Sequence, residues 1–183
     1  MIESIHEFWT VYGSLITGGA VIISAILAFV TIYSNRKMAK RRGTLDLIMH
    51  IESDGDLIAA RKEFIKLKKG EFNSAKWGKE DEKDSEEANN IRTTLNVNEL
   101  VAVSIKEGVI DEMVFRRWFN GAYIDDYQTM TGYLNEVRNY KNNPKIFCEF
   151  EALAKKWQDD KDWDGKPNWM TRKWKAICNI FAA

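Results

Sequence analysis

Between Glu7 and Arg36 lie 28 residues without a single charge, and no other feature of the chain restricts its folding options so strongly. Val11 to Ile32 contains Leu15, Ile16, Val21, Ile22, Ile23, Ile26, Leu27, Phe29 and Val30. About 20 apolar residues suffice to cross a bilayer core as a helix. Phe8, Trp9 and Tyr12 stand at one end of the run and Phe29 and Tyr33 at the other, where amphipathic rings favour the headgroup level. The run therefore predicts a transmembrane anchor over residues 1–35. A buried core helix is the competing reading, but such helices seldom stay free of charge over this length. A cleavable signal peptide needs a basic n-region and a shorter apolar stretch. Here Glu3 and Glu7 precede the run and the basic residues follow it, so cleavage is not expected.

Those basic residues are Arg36, Lys37, Lys40, Arg41 and Arg42, a juxtamembrane segment over residues 36–42. The positive-inside rule places such a cluster in the cytoplasm, with the N-terminus outside. Each charge near anionic lipid is worth about 1 kcal/mol, so membrane lipid is an expected partner. Within the span, Gly13, Thr17, Ala20, Ser24 and Ala28 recur at intervals of four or three, with Thr31 continuing the series. Small side chains on one face let membrane helices approach closely, which marks a candidate self-association surface and a route to a homo-oligomer.

From residue 36 onward there are 27 Lys and Arg against 25 Asp and Glu, a net charge of +2. A domain this close to neutral lacks the basic footprint of a nucleic-acid binder, and none is expected as a partner. Cys148 and Cys178 have no CxxC or Cys/His spacing around them and read as free thiols in a reducing compartment.

The pattern over residues 43–183 is helical, with no strand alternation competing, so the expected fold class is all-α: one N-terminal transmembrane helix followed by a cytoplasmic multi-helix bundle. The first helix continues through Leu45, Leu47, Ile48 and Ile51; Asp54 caps the next, which carries Leu57, Ile58, Phe64, Ile65 and Leu67 as far as Gly70. Residues 76–87 are almost wholly charged and predict a solvated loop. Ile91, Leu95, Val101, Ala102 and Ile105 form another apolar face, with Asn96 and Glu99 at capping-box spacing for a restart and Gly108 as its stop. Asp111 then caps a long central helix with the stripe Phe115, Trp118, Phe119, Ala122, Met130, Leu134 and Val137. Ile146, Phe147, Phe150, Leu153, Ala154 and Trp157 give a helix after Pro144, and Trp169, Trp174, Ile177, Cys178 and Phe181 a last one.

The basic-ended span, TLDLI and its amphipathic continuation, LNVNELVAVSIKEGVIDE and FEALAKKW together resemble a family of small bacterial and prophage membrane proteins classed only as a domain of unknown function. The resemblance runs from about Gly43 to Trp157. It implies an inner-membrane location and an all-helical domain, and it supplies no catalytic residues.

Candidate chemistry is sparse. Asp160-Lys161-Asp162-Trp163-Asp164-Gly165 opens like a calcium loop, with oxygen ligands at alternate positions and a glycine for the turn. Its twelfth position is Thr171 instead of the bidentate Glu, and Pro167 occupies the eighth. Asp160, Asp162 and Asp164 are thus candidate calcium ligands of a site expected to bind no tighter than about millimolar, and no other cofactor is implied. Glu63, Glu99, Glu107 and Asp111 are carboxylates at positions that helix faces and caps explain. No nucleophile, base and orienting group stand in recognisable order. Trp157, Trp163, Trp169 and Trp174 read either as core or as a face for an unknown protein partner. The leading reading is a membrane-tethered helical interaction or accessory protein; the alternatives are a membrane-bound enzyme using unpatterned carboxylates and a weak calcium-responsive module.

Overall fold

The computed structural model describes residues 2–69, 72–160 and 163, with side-chain surroundings from Tyr12 onward apart from Ser14. Every regular element among them is helical: α1 (Ile2–Ser53), α2 (Gly55–Lys68), α3 (Ser74–Gly78), a single 3₁₀ turn (Glu80–Glu82), α4 (Glu86–Lys106), α5 (Glu112–Tyr140) and α6 (Cys148–Asp159). The chain divides into two compact units, Met1–Arg42 and Gly43–Ala183.

In the first unit, α1 is long and apolar enough to span a membrane, and none of its apolar window is buried. Three hydroxyls of the small-residue face fold back onto their own helix: Thr17 donates to Gly13 O, Ser24 to Ala20 O and Thr31 to Leu27 O, each at 2.8 Å. Their polarity is thus satisfied within the helix.

The second unit is assembled around α5. α3 and α6 both pack on α5, α2 packs on α4, and α4 also meets α6. Phe64, Ile91, Leu95, Val101, Met130, Leu134, Phe150 and Trp157 are fully enclosed. Tyr123 sits edge-on to Phe150 with centroids 4.9 Å apart and tilted against Trp157 at 4.8 Å. The α5 stripe differs from expectation. Trp118 is 65% exposed, and the inward face carries Tyr123, Tyr127 and Tyr133, whose apolar rings fill the core while Tyr123 Oη and Tyr127 Oη find acceptors. Each amphipathic ring passes for a surface residue when only apolar spacing is counted.

Helix ends account for the loops. Asp54 Oδ1 accepts from the N–H groups of Asp56 and Leu57, and Asp111 Oδ1 from those of Met113 and Val114, as their spacing predicts. Gly108, at φ 70°, lets Val109 N–H reach back to Ser104 O and ends α4. Asn142, at φ 48°, does the same for α5, with Asn143 N–H on Arg138 O. The expected restart at Asn96 and Glu99 does not occur, because α4 runs unbroken from its cap Ser85. Glu99 instead crosses to α6, where its carboxylate accepts from Glu149 N–H at 3.3 Å and Phe150 N–H at 2.7 Å. That helix starts at Phe147 in a left-handed conformation with no cap of its own, so a carboxylate from α4 meets its first-turn donors.

The charged stretch is exposed at Lys79–Asp81 and Asp84 and runs into α4, as expected, but its first residues are the end of α3. That helix lies on α5 through two glycines: a Cβ on Gly78 would come within 2.6 Å of Tyr133 O, and one on Gly132 within 2.8 Å of Ser74 Oγ. Trp77 is partly buried against the core. Charge density along the chain conceals this contact, because it is made by backbone and by the absence of side chains.

Gly78→Ala should therefore destabilise the protein by about 1–3 kcal/mol through overpacking. Gly121→Ala, at a helical position with nothing within 4 Å, should stabilise by about 0.5–1 kcal/mol. Thermal unfolding of the two purified variants checks both signs; equal effects would refute glycine-mediated docking of α3.

Candidate functional site

A concave feature lies wholly within the second unit. It is a cleft of about 540 Å³ walled by the end of α1, by α2, α4 and α5, within the ~300–1,000 Å³ common for small-molecule sites. Ile58 and Ile65 from α2, Val97 from α4, and Phe119 and Ala122 from α5 supply apolar wall. Ile58 and Ile65 face solvent although the same helix buries Phe64.

At one end of the cleft lies Asp126, 1% exposed and the most enclosed acid among the described residues. Its Oδ2 accepts from Arg61 Nη1 and from Asn98 Nδ2 at 3.3 Å, and its Oδ1 from Lys68 Nζ at 2.7 Å. Lys68 also binds Asp125. Arg61 and Lys68 both lie over the Phe64 ring, at 5.3 and 5.1 Å from its centroid. One carboxylate thus ties α2 and α4 to α5. With three donors on its two oxygens, that carboxylate is a fixed acceptor. Beside it, burial first, and then the Glu99 and Asp126 carboxylates, push the Tyr123 phenol far up, and its hydroxyl donates to Asn98 O at 2.8 Å. None of these residues was expected as a site; the signal available in sequence was an aspartate on the inward stripe of an amphipathic helix.

The sequence-derived candidates fall elsewhere and apart. Asp160 Oδ2 pairs with Arg116 Nη1 at 2.6 Å; Asp162 and Asp164 lie outside the described residues, as does the last expected helix from Trp169 to Phe181. Among the described residues no three His, Cys, Asp or Glu side chains group as a metal site. Arg116 is itself buried, donates to Asn120 Oδ1 and Trp157 O, and stacks on Trp163 with its guanidinium 4.1 Å from the ring centroid. Trp157 is core, and its indole N–H donates to Glu112. Arg36 and Arg42 are exposed on α1, with Lys37, Lys40 and Arg41 half-buried. The named carboxylates disperse: Glu63 pairs with Lys66, Glu99 caps α6 and Asp111 caps α5. Cys148 is a free thiol, partly buried, and Cys178 lies outside the described residues.

The pattern of the Domain of unknown function (DUF4760) matches residues 19–157, well over half of the chain. The chain belongs to the DUF4760 family. The match takes in the apolar stretch of α1 from Gly19 and ends at the core tryptophan Trp157. No curated protein and no solved structure matches the chain.

Two measurements address the site. Asp126→Ala leaves half-buried Arg61 without its acid and Lys68 with Asp125 alone, and should cost about 3 kcal/mol, read from chemical denaturation; a loss below about 1 kcal/mol would show that the carboxylate is not the tie described. Alkaline unfolding provides the second. Burial pushes the Tyr133 phenol up to about 12, against a nearby Arg92, and Tyr123 shifts the same way. Unfolded tyrosine loses its proton near pH 10 while the folded protein retains it. Stability should therefore fall as pH rises from about 10 to 12, and Tyr123→Phe with Tyr133→Phe should flatten that fall relative to wild type in pH-dependent melting.

Proposed function

We propose that the chain is a single-pass protein of a bacterial inner membrane, its N-terminus outside and Gly43–Ala183 in the cytoplasm, acting as a tethered helical interaction or accessory module of prophage origin. The observation that carries the membrane assignment is the exposure of Leu15, Ile16, Val21, Ile22, Ile23, Ile26, Leu27, Phe29, Val30 and Ile32 on α1. Each such side chain gains about 1.5–3 kcal/mol on leaving water, and a core helix would have them covered by protein. Lipid meets that demand around the whole circumference of the helix.

Orientation rests on Arg36, Lys37, Lys40, Arg41 and Arg42, which follow the span and favour the cytoplasmic leaflet. The prophage origin rests on the family resemblance. The accessory role is supported by the arrangement of the second unit, where Asp126 and Glu99 serve as tie and cap and a cleft of about 540 Å³ offers a concave surface to a partner. A tether raises the local concentration of such a module at its partner without adding a contact.

Topology is testable by thiol labelling of intact cells with a membrane-impermeant reagent. Cys148 and Cys178 should react only after permeabilisation and unfolding, whereas Glu3→Cys should react from outside. The reverse pattern overturns the orientation, and recovery of the full chain in the soluble fraction after alkaline carbonate washing overturns the anchor. Exchanging residues 8–35 for an unrelated span of equal length should preserve function if tethering is sufficient. Loss on exchange would assign a specific packing role to Gly13, Thr17, Ala20, Ser24 and Ala28.

A further inference from the structure

The cleft is polarised along its length. On α2, Leu57 and Ile58 precede Arg61, Lys62 and Lys66, with Lys69 as the C-cap; on α5, Phe115 and Phe119 precede Asp126, and the bonds from Arg61 and Lys68 join the cationic half of α2 to that aspartate. The apolar end is therefore formed by Ile51, Leu57, Ile58, Phe115 and Phe119. The polar end has Lys66, Lys69, Thr93, Thr94 and Asn98 about the Arg61–Asp126 pair. The eleven-residue step from Phe115 to Asp126 spans about 16 Å of helix.

Charge over the whole lining is unbalanced. The lining includes Arg61, Lys62, Lys66 and Lys69 against Glu52 and Asp126, an excess of two positive charges. Arg61 is engaged by Asp126 and Lys66 by Glu63, while Lys62 and Lys69 have no partner among the described residues. A neutral apolar guest would leave those ammonium groups unused, and a cationic one would be repelled. A peptide helix would need a long open groove, whereas the volume here suits a single chain. An apolar slot ending in surplus cations is complementary to one elongated tail with one anionic head.

We infer that this cleft binds a single-chain anionic amphiphile, a long-chain fatty acid or an acyl chain with an equivalent anionic head, with its tail along Ile58, Val97, Phe119 and Ala122 and its head at Lys62 and Lys69. The inference rests on the cleft alone and holds whether or not the accessory role does.

The test uses the full chain in phosphatidylcholine nanodiscs, photolabelled with diazirine-bearing palmitate or with the neutral hexadecanol counterpart, and peptide mapping of the adducts. Palmitate should label α2, α4 and α5 around the cleft at least fivefold more than hexadecanol. Ala122→Trp, which fills the slot, should reduce cleft labelling to background, as should Val97→Trp, with labelling of α1 unchanged in each as the control for delivery and circular dichroism as the control for folding. Lys62→Gln with Lys69→Gln should remove the preference for palmitate while leaving residual labelling of the walls. Equal labelling by both probes, adducts confined to α1, or cleft labelling unaffected by either tryptophan in folded protein would overturn the inference.

Discussion

The arrangement of the second unit turns on a carboxylate withdrawn from water. Asp126 is held on α5 by Arg61 and Lys68 from α2 and by Asn98 from α4, so one acidic group sets the positions of three helices. Burying a charge carries a large desolvation cost, and hydrophobic residues of the same volume would commonly be at least as stabilising. The geometry nevertheless specifies something an apolar contact would not. A cation must reach one point on α5 from one side, which fixes the position of α2 along the neighbouring helix and leaves Ile58 and Ile65 unpaired at the mouth of the cleft.

Around that tie, the sequence was informative wherever structure is local. Asp54, Asp111 and Gly108 mark helix ends because capping and left-handed turns demand particular residues at fixed offsets. The all-helical character and the apolar α1 follow from periodicity and from the absence of charge. Long-range chemistry was less accessible. Glu99 looked like part of a capping box on its own helix, and its true target lies about fifty residues away on α6. The first residues of Lys76–Glu87 looked solvated like the rest because their polarity is visible and the two close glycine contacts are not. Tyr123, Tyr127 and Tyr133 were omitted from the core stripe in favour of Trp118, since a hydropathy count undervalues a phenol whose hydroxyl can be satisfied. The Asp126 site was hidden for the same reason: its partners are 28 to 65 residues distant.

A second polar centre resembles the first with its signs reversed. Buried Arg116 gathers Asn120, Asp160 and the Trp157 carbonyl, and its guanidinium lies against two indole rings. A planar cation with several donors can satisfy this mixture of amide, carboxylate, carbonyl and aromatic face; an ammonium group could not. The Asp160 that sequence offered as a metal ligand is, in the folded chain, the acidic partner that keeps this cation neutralised.

The donors of α6 also bear on when the fold can close. Its first turn relies on Glu99, Arg138 reaches forward to the Ile146 carbonyl and to Glu151, and Trp157 and Lys156 engage Glu112. During synthesis the groups on α4 and α5 emerge from the ribosome well before these partners, and folding proceeds from the N-terminal side. Until Cys148–Asp159 has been made, Glu99, Glu112 and Arg138 have nothing to bind there and the aromatic wall of Tyr123 stays uncovered. A nascent chain in which α6 has not yet been made would thus display an incomplete core to chaperones and proteases.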